Sequence, residues 1–454
     1  MSRQSFLSAV NERVIVFDGA FGTFVQDLDL GPDDFGGASL EGCNEYLCIT
    51  RPDVIRQMHS AFLDVGVDVL ETASFGSFST VLSEYNISDK AYELNVEAAR
   101  LARETANDYE SSGKARYVAG SIGPGTKLPS LGHIRFTELR DAYVEQARGL
   151  IVGGADLFLI ETCMDLLQIK AAMIACRRAM VAEGREIPIQ VQVTMETTGR
   201  MLVGSEIGAA LTAISAMKPD VFGINCATGP AEMQEHLRHL SQNASMPISV
   251  LPNAGLPSIV DGRTHYDLTP AELAKFHHHH VNDLGIGIVG GCCGTTPAHL
   301  KAVVDAVSGM AAPKRTPVDE PSVSSIYSSV PMVQDKSFLI IGERTNTNGS
   351  KAFRDAMIAG EWDNCSKIAT EQIREGAHVL DVCVDYVGRD GAIDMDEIAS
   401  RFATQASVPL VLDSTEPQVL EAGLMHIGGR AILNSANLED GEEPGSRLDR
   451  VFSL

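Results

Sequence analysis

Eight short apolar runs rich in β-branched residues, each followed by a longer stretch of helical pattern, confine most of this chain to very few folds. The runs are residues 14–17, 67–70, 117–119, 157–160, 189–193, 221–224, 248–251 and 286–289. Helix-compatible segments such as 52–65, 89–110 and 136–153 lie between them. Strand–helix alternation demands a parallel sheet, because each crossover returns the chain to the same end. Eight units over roughly 300 residues suit a closed (β/α)₈ barrel, which places functional groups at the C-terminal rim. Polar and glycine-rich residues do follow the runs: Asp18-Gly19-Ala20-Phe21-Gly22-Thr23, Glu71-Thr72, Glu161-Thr162-Cys163, Asn225-Cys226 and Cys292-Cys293.

Residues 311–334 lapse into Pro, Ser, Thr and charged residues, the composition of a linker. A second alternation follows, with strand-like runs at 338–341, 379–380, 409–412 and 431–433. Four units rarely close a barrel. The expected organisation is therefore a barrel domain over residues 1–310, a linker over 311–334 and an incomplete (β/α) barrel over 335–454. A small open α/β domain is the alternative for the last part.

Composition narrows the partners. The 454 residues carry 36 basic and 60 acidic side chains, a formal charge of −24 that disfavours a nucleic-acid backbone or an anionic membrane. No run of about 18 apolar residues appears, and the N-terminus lacks a signal-peptide pattern. Nine cysteines, an odd number, read as reduced thiols. A cytoplasmic location is expected.

Gly290-Gly291-Cys292-Cys293-Gly294 holds the most reactive pattern. Adjacent cysteines on a strand point to opposite faces, but past a strand end, between glycines, both can turn to one point. Cys226 follows another strand and supplies a third thiol. Three soft ligands describe an open zinc site whose vacant position suits a thiol substrate. Small buried residues or a strained vicinal disulfide are the competing readings. Asp18 and Glu161 at the rim could hold an ammonium group, or serve as turn and cap residues. The run His277 to His280 faces most of the way around a helix and carries no metal argument.

Taken together, Asp18-Gly-Ala-Phe-Gly-Thr23, Gly223-Ile-Asn-Cys226, Pro252-Asn-Ala-Gly-Leu-Pro257 and Gly290-Gly-Cys-Cys-Gly-Thr295 resemble the homocysteine-binding barrel family. That family includes cobalamin-dependent methionine synthase and betaine-homocysteine methyltransferase. The resemblance covers residues 10–310. It implies Zn²⁺ on Cys226, Cys292 and Cys293, with the L-homocysteine thiolate as fourth ligand. It also places the substrate at Asp18, Glu161 and Asn225, its amino group on the two carboxylates.

Gly342-Glu-Arg-Thr-Asn346, Gly349-Ser350-Lys351, Leu380-Asp-Val-Cys-Val-Asp385, Val411-Leu-Asp-Ser-Thr415 and Asn434-Ser-Ala-Asn437 resemble the pterin-binding barrel of cobalamin-dependent methionine synthase. The candidate pterin-binding residues are Ser350, Lys351, Asp381, Asp413 and Asn434. Cys383 departs from the family, which usually has Asn there. The family's later pterin-contacting residues, its cobalamin domain and its Asp-x-His-x-x-Gly corrinoid motif have no counterpart in these residues. The resemblance implies methyl transfer to homocysteine giving methionine. The methyl would come from 5-methyltetrahydrofolate through methylcobalamin on a domain or protein outside this chain. A stand-alone methyltransferase using betaine or a methylsulfonium donor, and a silent homocysteine- and folate-binding fragment, are the alternatives.

Overall fold

β-branched and large apolar residues between turn signals favour extended backbone. The computed structural model describes residues 4–110, 114–260, 263–318 and 320–454. Its first ten strands are β1 (Ile15–Val16), β2 (Val69–Glu71), β3 (Tyr117–Ile122), β4 (Leu157–Cys163), β5 (Ile189–Val193), β6 (Val221–Asn225), β7 (Ile248–Leu251), β8 (Pro257–Val260), β9 (Arg263–Tyr266) and β10 (Ile288–Val289). All except β8 and β9 form one parallel sheet in the order β1-β10-β7-β6-β5-β4-β3-β2. Phe17 then pairs in parallel with Val69, so the two ends of the sheet meet. The eightfold alternation is a nearly closed barrel, as its spacing implies.

Local chemistry sets the helix limits. Helix Pro52–Asp64 opens on proline, whose missing N–H costs nothing at that position. Helix Phe136–Gly153 stops where Gly154 turns left-handed, at φ 104°. Helix Pro270–Leu284 opens with a reciprocal cap between Thr269 and Glu272. The apolar faces of these helices meet Phe158, Ile160, Val191, Phe222 and Val289 of the strands in one buried cluster.

Two features of the barrel region escape the periodic pattern. Strands β8 and β9 form an antiparallel hairpin after β7, with Pro257 opposite Tyr266. The stretch expected as a linker carries a second hairpin, β11 (Ser322–Ser324) with β12 (Ser329–Pro331). This hairpin is bound on two sides. Glu206 N–H donates to Tyr327 O at 2.9 Å, while Tyr327 Oη donates to Thr404 O at 2.6 Å.

Strands β13 (Ile341–Asn346), β14 (Val379–Cys383), β15 (Leu410–Asp413) and β16 (Ile432–Asn434) form a separate parallel sheet in that order. It has its own apolar core, which includes Phe353, Met395, Phe402 and Leu412. The apolar run 338–341 is not the strand expected there. β13 starts at Ile341, and Phe338 is 90% exposed. The polar residues Gly342 to Asn346 extend instead, because β14 takes their hydrogen bonds and Thr345 Oγ1 donates to Asp381 O at 2.6 Å. Between the two sheets, Lys170 Nζ donates to Leu424 O at 2.6 Å and Ile427 O at 3.4 Å, filling acceptors that a helix end leaves open. Among the described residues, no helix is long and apolar enough to cross a membrane.

Candidate active site

Cys226 leaves the end of β6 with φ 59°, a left-handed turn that diverts its side chain from the strand's alternation. Its N–H donates to Leu251 O at 3.1 Å. Past β10, Gly290 and Gly291 pass where no side chain fits. A Cβ on Gly290 would lie 2.5 Å from Leu251 Cδ2, and one on Gly291 would lie 2.4 Å from Thr295 Oγ1. The turn is pinned by Cys292 N–H to Pro252 O at 2.8 Å and Ala254 N–H to Cys293 O at 2.9 Å. These turns bring Cys226, Cys292 and Cys293 together, with all three sulfurs within 4.8 Å of one another.

That spacing can be tested against a metal. Tetrahedral zinc with sulfurs at about 2.3 Å separates two ligands by about 3.8 Å. Cys226 Sγ and Cys293 Sγ are 3.8 Å apart. All nine cysteines are free thiols. Hydrogen bonds from Cys226 and Cys292 hold the Cys293 thiol far below its ordinary pKa, while the same bonding pushes Cys292 up. Asn253, on the segment bonded to Cys293, also has a buried side-chain oxygen without a hydrogen-bond partner. The donor set fits zinc.

A cavity of about 240 Å³ opens over the sulfurs, lined among others by Glu71, Ser121, Glu161, Cys226, Cys292 and Cys293. It is smaller than the roughly 300 Å³ lower bound of drug-sized pockets, a scale that suits a small amino acid. Glu161 at the end of β4 is buried and receives Ser121 Oγ at 2.5 Å. Asn225 Nδ2 donates to Glu161 Oε2 at 3.2 Å and to Thr162 Oγ1 at 2.9 Å, so it orients the carboxylate. Burial pushes Glu161 up to about 7.

Asp18 lies one layer deeper than the sequence suggests. Both its oxygens accept from Glu71 N–H, at 3.1 and 3.2 Å. Glu71 itself lines the cavity, and its buried Oε1 has no hydrogen-bond partner. Burial raises both groups, and the mutual repulsion of Asp18, Glu71 and Glu161 adds to it. Three carboxyls that resist ionising together hold protons until a cation joins them. Glu71 is the residue sequence reasoning missed. Its strand-end position was visible, but nothing in the local pattern ranked it above Asp18.

In the second sheet, β14, β15 and β16 bring Asp381, Asp413 and Asn434 to one rim. Asn434 Nδ2 donates to Asp413 Oδ1 at 2.8 Å. Asn346, also missed, donates to Asp381 Oδ2 at 2.7 Å and Asp413 Oδ2 at 3.3 Å. Burial raises both aspartates. The Cys383 thiol joins this network through Asp413 and is itself pushed up to about 12 by burial. Ser350 Oγ accepts from Phe353 N–H at 3.3 Å as the N-cap of helix Lys351–Ile358, and Lys351 is exposed on its first turn. Ser350 N–H also donates to Asn346 O at 2.8 Å, which joins the helix start to the residue that bridges the two aspartates.

Residues 15–307 match the homocysteine S-methyltransferase family model. The chain belongs to that family. Residues 342–448 match the model of pterin-binding enzymes. The methionine synthase of Mycobacterium tuberculosis (strain ATCC 25618 / H37Rv) is 53% identical over 448 residues, which are 99% of this chain and 37% of that protein. Methionine synthase of Mycobacterium leprae (strain TN) is 51% identical over 453 residues, again 99% of this chain and 37% of that protein. The chain therefore spans little more than a third of these relatives. The metallated form of the homocysteine methyltransferase MmuM from Escherichia coli superposes with a TM-score of 0.52 at 21% identity. That likeness covers 65% of this chain and 96% of MmuM, and it supports the barrel fold. The two matched stretches coincide with the two sheets, whose first strands begin at Ile15 and Ile341.

Proposed function

We propose that the barrel methylates the thiol of L-homocysteine to give methionine, with Zn²⁺ held by Cys226, Cys292 and Cys293. The observation that carries this reading is the cavity itself: three sulfurs at metal-ligand spacing on its floor and buried carboxyls on its wall. A bound zinc ion supplies a Lewis acid that keeps a substrate thiol ionised at neutral pH. The chain's own residues do the rest. Glu161 and Glu71, backed by Asp18, receive the substrate ammonium, and that charge relieves their mutual repulsion. Asn225 holds the Glu161 carboxylate in place. With its ammonium and sulfur both engaged in this small cavity, the substrate would offer its remaining sulfur lone pair to the methyl donor. The sulfur would form the new S–C bond while the donor keeps the electron pair of the bond that breaks.

The donor in this reading is methylcobalamin on a domain or protein outside these residues, recharged by 5-methyltetrahydrofolate. Similarity to methionine synthases and the pterin-binding match support it. Asp381, Asp413 and Asn434, joined by Asn346, would bind the pterin edge, with Ser350 and Lys351 nearer the folate tail. The division into residues 1–310, 311–334 and 335–454 belongs to the same proposal, as does a cytoplasmic setting that keeps the cysteines reduced.

X-ray absorption at the zinc edge tests the reading. One zinc per chain bound by three sulfurs, gaining a fourth on addition of L-homocysteine, is the expected result. A sulfur count unchanged by homocysteine would refute it.

A further inference from the structure

The turn that carries the cysteines is packed against the loop that carries Asp18, and one side chain fills the joint. Thr295 is 2% exposed, and its Oγ1 donates to Cys292 O at 2.6 Å. Its N–H donates to the same oxygen at 3.0 Å. The side chain stands in space that two glycines leave open. A Cβ on Gly291 would lie 2.6 Å from both Cβ and Cγ2 of Thr295, and one on Gly19 would lie 2.6 Å from its Oγ1. Gly291 belongs to the cysteine turn, whereas Gly19 follows Asp18 on the loop after β1.

The same two segments are also tied through the backbone. Gly291 N–H donates to Asp18 O at 3.2 Å, and Gly294 N–H donates to Thr23 Oγ1 at 3.1 Å. These bonds close the joint on either side of Thr295, and a filled interior does not compress around such a wedge. Asp18 in turn accepts from Glu71 N–H. The position of the sulfurs relative to the carboxyls therefore passes through Thr295.

We infer that Thr295 is a positioning residue that sets the span between the sulfurs and the carboxyls, and so selects the length of the thiol amino acid that the cavity accepts. The inference rests on the substrate and metal proposed above. L-Homocysteine and L-cysteine differ by one methylene, a difference that a pocket of fixed span discriminates by about 10- to 200-fold. A slack joint lets floor and wall settle onto the shorter molecule.

The test titrates the zinc-loaded full chain with L-homocysteine and with L-cysteine in a calorimeter. Thr295→Ser keeps the hydroxyl on Cys292 O and removes only the methyl packed on Gly291. Its preference for homocysteine over cysteine should fall by about fourfold, the worth of one buried methylene. Thr295→Val keeps the volume but sets a methyl where the hydroxyl lies 2.6 Å from Cys292 O, closer than a carbon can approach. The cysteine turn must shift, so zinc affinity, read by competition with a chromophoric chelator, should fall by about tenfold or more. Thr295→Ser should hold that affinity within about threefold of the unaltered protein, because the hydroxyl is retained. An unchanged preference in Thr295→Ser would overturn the role of Thr295, whatever the zinc affinity. Failure of the unaltered protein to take up zinc or to bind homocysteine would instead overturn the reading of the barrel beneath it.

Discussion

Replacing Glu161 with Gln should make the ligand-free barrel more stable and worse at its task. Burial lifts this carboxyl from about 4.5 to about 7. Because the folded state holds the proton more tightly than the unfolded one, the group's contribution is fullest below about pH 4.5 and is lost as pH rises through about 7. At about pH 8 the buried charge then costs roughly 3 kcal/mol, at 1.36 kcal/mol per pH unit. A Gln amide removes that cost, its oxygen accepting from Asn225 while its NH₂ donates to Ser121 Oγ, a hydroxyl that can also accept. Exchanging charge-assisted bonds for neutral ones and reversing Ser121 costs about 1 kcal/mol. The net gain for E161Q is about 2 kcal/mol near pH 8, or roughly 4 °C in the barrel's melting transition. Near pH 5 the wild-type carboxyl is protonated and the gain should vanish. Scanning calorimetry of the metal-free, reduced protein at both pH values measures it, and isothermal titration of the zinc-loaded protein should show homocysteine binding weakened about 10- to 100-fold. A variant less stable than wild type near pH 8, or a difference independent of pH, would refute the reasoning.

Three further outcomes are expected. Cys292→Ala should cut zinc content from one per chain to near zero by atomic emission, while Cys163→Ala, buried beside the site, should leave it unchanged. Gly290→Ala forces a methyl into contact with Leu251 and Phe17 and should cost about 1–3 kcal/mol in urea unfolding, with no change in any charged group. Asp413→Ala leaves Asn434 without its acceptor and should weaken any 5-methyltetrahydrofolate binding by about tenfold or more in fluorescence titration, with homocysteine affinity unaffected.

Much of the site was legible because barrel geometry converts sequence position into place. A polar residue one step past a β-rich run lands on the rim, which is how Cys226, Cys292, Cys293, Glu161 and Asn225 could be grouped while spread over 132 residues from Glu161 to Cys293. Asp413 and Asn434 follow the same logic in the second sheet. Ser350 has a second, purely structural role. A serine before a helical pattern is also a cap, and the observed hydrogen bond to Phe353 is that cap. The run 338–341 shows the limit of that logic. Apolar, β-branched residues mark a strand only if something covers them, and here pairing with β14 selects the polar residues that follow.

The sequence by itself determined the parallel barrel, the rim that carries the chemistry and the three thiols that meet there, because these follow from local periodicity and from glycines that only one turn accommodates. Tertiary structure alone decided depth. Asp18 is covered because Glu71, 53 residues along the chain, offers it a backbone N–H, which leaves Glu71 facing the cavity. It also set Tyr266 against Gly294 through a hairpin that no helix or strand period announces. The physical reason is that desolvation and ring packing depend on which distant segments close over a group, and one-dimensional pattern does not contain that information.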